Sequence, residues 1–196
     1  MQEISATEPH TKIEIEKTDI AADKVLDYKS TANVIYALWL SPDGVYKMSQ
    51  EIKGMVQTSL NLGTAYLDTD KLVYKYLIRS NTAAGKKLLL ERVTTFVKYL
   101  SGKVVTMSDY PAWEYKSDSQ LRKICVDSFT NVYGHEPEVT SIHAGLECGI
   151  LAGKMPGVDM ISFGPTLESV HTPDECMNVG SVERTWEYLL EILKSL

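Results

Sequence analysis

The first half of the chain shows apolar residues spaced for two helices and two strands. Apolar positions recur every three or four residues from Asp27 onward, which predicts a helix that ends at the turn sequence Ser-Pro-Asp-Gly of residues 41–44. Residues 55–67 and 71–79 are rich in strand-forming side chains, which predicts two strands. A second helix is predicted over residues 82–100, with a threonine as its cap.

Two shorter stretches complete the pattern of the first half. Residues 12–18 alternate apolar and charged side chains, and residues 103–107 form a short apolar run, so each predicts a further strand. The predicted order is then β-α-β-β-α-β. This order is typical of an α+β sandwich, in which helices cover one face of antiparallel strands.

The second half opens with an irregular stretch, residues 108–116, that carries a proline and a tryptophan. We place a domain boundary there, so residues 1–107 and 108–196 are expected to form separate domains. Further along the chain, helices are predicted over 117–132, 145–151 and 181–196, and strands over 138–142 and 158–163. This alternation is typical of a layered α/β domain, but the strands are too few to complete a sheet.

Composition and charge narrow the class of protein. Of the 196 residues, 44% are hydrophobic and 23% are charged, which is typical of a globular chain. The formal net charge of −6 argues against nucleic acid as a partner, because phosphate binding requires a basic surface. No apolar run is long enough for a membrane span, and the polar start lacks a signal-peptide core. The three cysteines have no CxxC spacing, so we expect reduced thiols and a cytoplasmic location.

Four side chains are candidates for chemistry. His143 follows a predicted strand, and His171 lies in the loop His-Thr-Pro-Asp-Glu before the last helix. Imidazole is a good zinc ligand, but the two histidines have no local metal-binding spacing, and each also fits an ordinary polar loop residue. Glu147 is compatible with a metal ligand, a general base or a surface charge. Arg79, at the end of a predicted strand, fits either a surface ion pair or a fork that grips a carboxylate.

Six segments together resemble the aminoacyl-histidine dipeptidases, also called cytosolic non-specific dipeptidases. In chain order they are VYKMSQEIKGMVQTSLNLG, LIRS, SDYPAWEYKSDSQL, IHAGLECGIL, DMISFGPT and HTPDE. Members of this family are zinc metallopeptidases of the aminoacylase-like superfamily, with a lid domain inserted into a two-zinc catalytic domain. The resemblance implies that residues 1–107 are the later part of a lid-type α+β sandwich. Residues 108–196 would then be the C-terminal portion of the α/β catalytic domain.

The resemblance also implies roles for individual residues. His171 matches the zinc-ligating histidine of the family's C-terminal part. Its partner ligands and the general base belong to an N-terminal portion whose motifs have no counterpart in this sequence. Arg79 and Gly145 match positions of substrate recognition, with Arg79 reaching from the lid. The motifs that line the substrate pocket also contain His143, Glu147, Gly164 and Thr166.

The activity that the resemblance implies is hydrolysis of unblocked dipeptides, Xaa-His dipeptides among them. Two zinc ions would acidify a water molecule, a glutamate would accept its proton, and the lid would close over the substrate. We expect this chain alone to lack both activity and stoichiometric zinc, because one ligand cannot hold the metal. It would need the missing N-terminal part of the catalytic domain as a partner, and its lid is compatible with a homodimer. The alternative is a non-catalytic interaction or dimerisation module derived from the same fold.

Overall fold

Five helices and two small antiparallel sheets form the described part of the chain, which in this computed structural model comprises residues 9–17, 19, 21–22, 24–68, 70–141 and 146–196. In chain order the elements are α1 (Tyr28–Trp39), β1 (Gly44–Met48), β2 (Val56–Asp68), β3 (Lys71–Ser80), α2 (Ala83–Tyr99), α3 (Gln120–Tyr133), α4 (Glu147–Lys154), β4 (Leu167–Glu168), β5 (Cys176–Met177) and α5 (Val179–Ser195). None of these helices combines the length and apolar character that a membrane crossing requires.

The larger sheet has the strand order β1-β2-β3 and is built around the long hairpin of β2 and β3. The β2–β3 ladder runs from Thr58 opposite Ser80 to Asp68 opposite Lys71. One irregularity in the ladder falls at Gly63, a residue type that accommodates such bends. The strands predicted over residues 55–67 and 71–79 are therefore confirmed, and the short strand β1 adds to them.

Helix α2 covers one face of this sheet. It begins after Thr82, whose Oγ1 atom accepts a hydrogen bond from the Gly85 N–H at 3.2 Å, so the predicted threonine cap is confirmed. Leu89 and Val93 of the helix pack against Leu60 of β2, and all three side chains are buried. This single helix layer on an antiparallel sheet is the α+β arrangement that the sequence predicted.

Helices α3 and α5 form a second packed unit. Their contact buries Cys125, Tyr188 and Ile192. The Tyr188 hydroxyl donates a hydrogen bond to the Cys125 carbonyl oxygen at 2.8 Å. Burial, together with the neighbouring Cys125, raises the pKa of Tyr188, so the hydroxyl remains a protonated donor. Helix α3 is followed by Gly134, whose left-handed φ of 75° terminates the helix.

The segment of residues 158–163 is attached to the start of α3. Asp159 accepts hydrogen bonds from the Ser119 hydroxyl at 2.8 Å and from the Leu121 N–H at 3.1 Å. Burial opposes ionisation of Asp159, but these hydrogen bonds and the nearby Lys116 outweigh it and hold the pKa of Asp159 below its usual value. The charged carboxylate therefore stabilises the helix start, where the backbone N–H groups are unpaired.

In the described part of the chain, no strand forms at four places where the pattern predicts one. These are residues 12–18, 103–107, 138–142 and 158–163. Residues 18 and 142 themselves lie outside the described part. A strand exists only where its backbone N–H and C=O groups pair with a neighbouring strand, and alternation alone does not supply that neighbour. The short strands β1, β4 and β5, which the pattern did not reveal, do have such partners.

Two adjacent leucines in α2 test the assignment of the sheet's core. Leu89 is 1% exposed, whereas Leu88 is 66% exposed. We expect Leu89→Ala to lower the free energy of unfolding by about 2–5 kcal/mol, because it leaves a cavity against Leu60. The matched variant Leu88→Ala should change it by less than about 0.5 kcal/mol. Urea denaturation followed by circular dichroism measures both, and equal losses would contradict the assignment.

Candidate functional site

His171 lies in the loop of the hairpin formed by β4 and β5. These two-residue strands pair antiparallel, so residues 169–175 form the connection, which we call the His171 loop. His171 is exposed and has a φ of 66°, a left-handed conformation that is uncommon outside glycine. Its backbone N–H donates a hydrogen bond to Glu175 Oε2 at 2.7 Å. The loop thus presents the imidazole to solvent on a backbone held by its own side chains.

Thr172 organises the rest of the His171 loop. Its N–H and its hydroxyl both donate to the Ser169 carbonyl oxygen, at 3.1 and 2.7 Å. Its Oγ1 atom accepts from the Asp174 N–H at 3.2 Å, and its carbonyl oxygen accepts from the Glu175 N–H at 3.2 Å. Ser169 also has a left-handed φ of 53°. Strained backbone of this kind persists only where surrounding contacts fix it, and these hydrogen bonds are such contacts.

The base of the hairpin is anchored to the first turn of α5. The Thr166 N–H donates to Ser181 Oγ at 2.9 Å, and the Asn178 N–H donates to the Thr166 carbonyl oxygen at 3.0 Å. The Ser181 hydroxyl in turn donates to the Asn178 carbonyl oxygen at 2.6 Å, while Asn178 Oδ1 caps the helix by accepting from the Ser181 N–H at 3.0 Å. Ser181 is 4% exposed, so water does not compete for these bonds.

A cavity of about 320 Å³ opens beside this anchor. Its wall includes Gly164 and Thr166, two of the predicted substrate contacts. Phe163 and Tyr188 supply aromatic surface, with ring centroids 4.9 Å apart, and Arg184 is the one arginine or lysine among the lining residues. An apolar wall with a guanidinium nearby suits a small ligand that carries both an apolar group and a carboxylate. Of the other predicted site residues that the structure describes, none lines this cavity.

The remaining predicted site residues lie on other elements. Arg79 lies near the end of β3, opposite Ser59 of β2, and is exposed. Glu147 is the first residue of α4, where the helix dipole favours a negative charge. His143 and Gly145 lie outside the described residues. The structure therefore brings Gly164 and Thr166 together at one cavity and places Arg79 and Glu147 at element ends.

The described donor set does not fit a complete metal site. No group of three or more His, Cys, Asp and Glu side chains in the described ranges is placed to hold a metal ion. Glu175, the carboxylate bonded to His171, already accepts the backbone N–H of that residue. A tight zinc site needs three or four ligands, whereas His171 offers a single exposed imidazole. No chemistry through a metal follows from the described residues alone.

The sequence patterns did not identify the anchor at Asn178 and Ser181. The last helix was predicted to begin at residue 181, but it begins at Val179 with Asn178 as its cap. An asparagine directly before a helical apolar pattern is a helix-start signal, and Asn178 was available in the sequence. The sequence pattern did not single out Arg184 as a cavity-lining residue, because it is one polar residue among several on an exposed helix face.

The fold and these motifs define a chain of the metallopeptidase class. It belongs to peptidase family M20/M25/M40, whose sequence profile matches residues 7–195. The family is one of hydrolases, and the match extends over nearly the whole chain. The resemblance inferred from six short segments is therefore confirmed.

Two relatives and a more distant structure share this fold. The chain is 33% identical over 178 residues to the cytosol non-specific dipeptidase of Escherichia coli strain K12. The matched stretch covers 90% of this chain and 37% of that protein. The crystal structure of aminoacylhistidine dipeptidase from Vibrio alginolyticus matches with a TM-score of 0.86 and 32% identity, over 100% of this chain and 40% of that one. Aminopeptidase PepT from Bacillus cereus, at 17% identity, a TM-score of 0.57 and coverages of 85% and 45%, shows the fold alone. The chain thus spans less than half the length of each of these three proteins.

Removing the Ser181 hydroxyl tests the anchor of the hairpin. Ser181→Ala removes the buried acceptor of the Thr166 N–H, so we expect the free energy of unfolding to fall by about 1–3 kcal/mol. Amide hydrogen exchange at Thr166 should also become faster. The control Ser195→Ala removes a hydroxyl from the far end of α5, bonded to Glu191, and should leave exchange at Thr166 unchanged. Unaltered exchange at Thr166 in Ser181→Ala would show that the hairpin is held in another way.

Proposed function

We propose that this chain forms one part of a zinc-dependent dipeptidase active site and is completed by a second part that supplies the remaining metal ligands. The observation that carries this proposal is the family match over residues 7–195. The donor set supports it, because the described residues offer His171 but no cluster that holds a metal unaided. By itself the chain would then hydrolyse no dipeptide.

The outer face of α5 supports the need for a second part. Val182, Trp186 and Leu190 follow helical spacing and are exposed, with Trp186 at 59%, although the opposite face of α5 is buried against α3. An exposed apolar stripe of this kind marks a contact surface. The relatives extend well beyond the stretch matched here, so we assign this face to a polypeptide portion equivalent to theirs.

In the proposed enzyme, His171 is a ligand of a two-zinc site and the other predicted residues contact the substrate. Arg79, from the lid-type domain of residues 1–107, binds a carboxylate, for which its guanidinium fork is well suited. The cavity beside Gly164 and Thr166, in the catalytic portion of residues 108–196, receives the apolar part of the substrate. His143, Gly145 and Glu147 are the remaining proposed substrate contacts.

Unblocked dipeptides are the proposed substrates, Xaa-His dipeptides among them. The names of the relatives support this choice, since one is a non-specific dipeptidase and another an aminoacylhistidine dipeptidase. The first of these is a cytosolic protein by its name, which supports a cytoplasmic location for this chain. A homodimer through the lid-type domain is a further part of the proposal, and neither nucleic acid nor a membrane is a proposed partner.

A chimeric enzyme tests the proposal. The matched stretch of the Escherichia coli dipeptidase is replaced by this chain, and release of free histidine from Ala-His is measured with zinc present. We expect the chimera to hydrolyse the dipeptide and the isolated chain to have no activity, because only the chimera contains all the metal ligands. Turnover by the isolated chain, or a folded chimera without activity, would overturn the proposal.

Two variants of the chimera separate the role of His171 from general damage to its loop. His171→Ala should lower kcat/KM by more than about 100-fold. Removal of a group that only supports a metal ligand costs at most about 100-fold, and loss of the ligand itself should cost more. Val170→Ala changes the adjacent loop residue without touching an imidazole, and its kcat/KM should stay within about threefold, which corresponds to less than 1 kcal/mol. Equal losses in the two variants would show that the loop, and not the ring, is required.

Metal content provides a readout that does not depend on activity. After dialysis against zinc, the isolated chain should retain far less than one ion per molecule, because a single imidazole binds zinc weakly. The chimera should retain two ions, and His171→Ala should reduce that content. Atomic emission spectroscopy measures all three samples, and an equimolar zinc content in the isolated chain would falsify the one-ligand assignment.

A further inference from the structure

The stretch Asp109–Glu114, which we call the linking segment, is attached to the first turn of α2. Lys86 Nζ donates hydrogen bonds to Asp109 Oδ1, at 2.5 Å, and to the Tyr110 carbonyl oxygen. Glu114 Oε1 accepts a hydrogen bond from the Ala83 N–H at 2.9 Å. This carboxylate therefore occupies the start of α2, where the helix dipole favours a negative charge. Contacts from both ends of the linking segment converge on one helical turn.

The middle of the linking segment is seated in a notch on α4. A Cβ atom added at Gly149 would lie 2.7 Å from the Pro111 carbonyl oxygen. One added at Gly153 would lie 2.8 Å from Cγ and 3.1 Å from Cβ of the Pro111 ring. The two glycines are four residues apart and so lie on the same face of the helix. Glycine disfavours a helix relative to alanine, and the close approach of Pro111 is the physical reason for two of them in eight residues.

The two attachment points lie next to predicted substrate contacts. On the α2 side, Arg79 is followed by Ser80, whose Oγ atom lies 2.9 Å from Thr58 Oγ1 and 3.3 Å from Thr82 Oγ1. Thr82 is the residue directly before α2. On the α4 side, Glu147 begins the helix that carries the glycine notch. The linking segment therefore joins the element that follows Arg79 to the element that begins with Glu147.

We propose that the linking segment is a two-sided strut that sets the separation and orientation of the Arg79 and Glu147 ends of the molecule while no substrate is bound. In it, Lys86, Glu114, Gly149 and Gly153 are positioning residues, since they act through the segment and not on a ligand. An exposed ion pair alone contributes little to such rigidity. Here the Lys86 contacts act together with the Glu114 carboxylate, which caps α2, and with the Pro111 backbone, which lies where a side chain on Gly149 would not fit. The benefit to substrate binding rests on the proposed function, but the strut itself does not.

A distance measurement on the full chain tests the strut without substrate or metal. Spin labels are attached to Lys71→Cys at the start of β3 and Glu187→Cys on α5, both exposed, in a background of Cys148→Ser and Cys176→Ser. Cys125 is buried and remains. Pulsed electron paramagnetic resonance should give one narrow distance distribution in this parent protein. Because no activity is measured, failure of the strut and failure of the proposed function are distinguishable.

Two variants remove one side of the strut each. The double variant Lys86→Met, Glu114→Gln removes the charged contacts to α2, and Gly149→Ala, Gly153→Ala fills the notch on α4. We expect each to shift or broaden the distance distribution by more than the width of the parent distribution. If the double glycine variant does not fold, Gly153→Ala alone replaces it, since its added methyl group meets only the Pro111 ring.

Matched controls separate the strut from general effects of these substitutions. Lys87→Met removes the neighbouring lysine, which pairs with Glu91 on the same helix, and should leave the distribution unchanged. Gly180→Ala adds a methyl group to α5, where the nearest atoms are at 3.5 and 3.6 Å, and should also have no effect. A change in both strut variants and in neither control supports the strut. An unchanged distribution in either strut variant overturns it.

Discussion

The buried hydroxyl of Ser181 is the contact on which the candidate metal-ligand loop depends. It accepts from the Thr166 N–H and donates to the Asn178 carbonyl oxygen, so one atom joins the hairpin base to the start of α5. The position of His171 therefore depends on the position of α5. That helix is held in turn by the packing of Tyr188 against Cys125 of α3. The exposed His171 side chain is placed in this way by hydrogen bonds and packing behind its loop.

The two packed units have small cores, and this affects how the chain can work. In the described residues each core contains three buried hydrophobic residues, one set between β2 and α2 and the other between α3 and α5. Small cores contribute modest stability, and α5 in addition leaves an apolar stripe around Trp186 exposed. Burial of that stripe against a second polypeptide portion would stabilise the helix that carries the anchor of the His171 loop. In the proposed enzyme, completion of the fold and completion of the metal site are then one event.

A site divided between two units also requires that they have a defined relation before substrate binds. The linking segment meets this requirement by short-range contacts, because Pro111 lies where a Cβ atom on α4 would collide with it. Steric exclusion of this kind varies steeply with distance, whereas an exposed ion pair such as Lys86 with Asp109 tolerates movement. The glycine notch therefore sets the position of the segment, and the polar contacts on α2 select its orientation.

Local chemistry in the sequence determined the helices and the main hairpin of this protein. Thr82 and Gly134 act on their own neighbours, so the start of α2 and the end of α3 could be read from the chain. The family motifs selected His171 as a metal ligand in the same way, from a short stretch with specific residue types, and that role stays a prediction. Strands were predicted less well, because residues 158–163 have the composition of a strand but no partner in the described ranges to pair with. Only the tertiary structure placed Thr166 on Ser181 and Pro111 on Gly149, since contacts between residues distant in sequence depend on packing that no local pattern encodes.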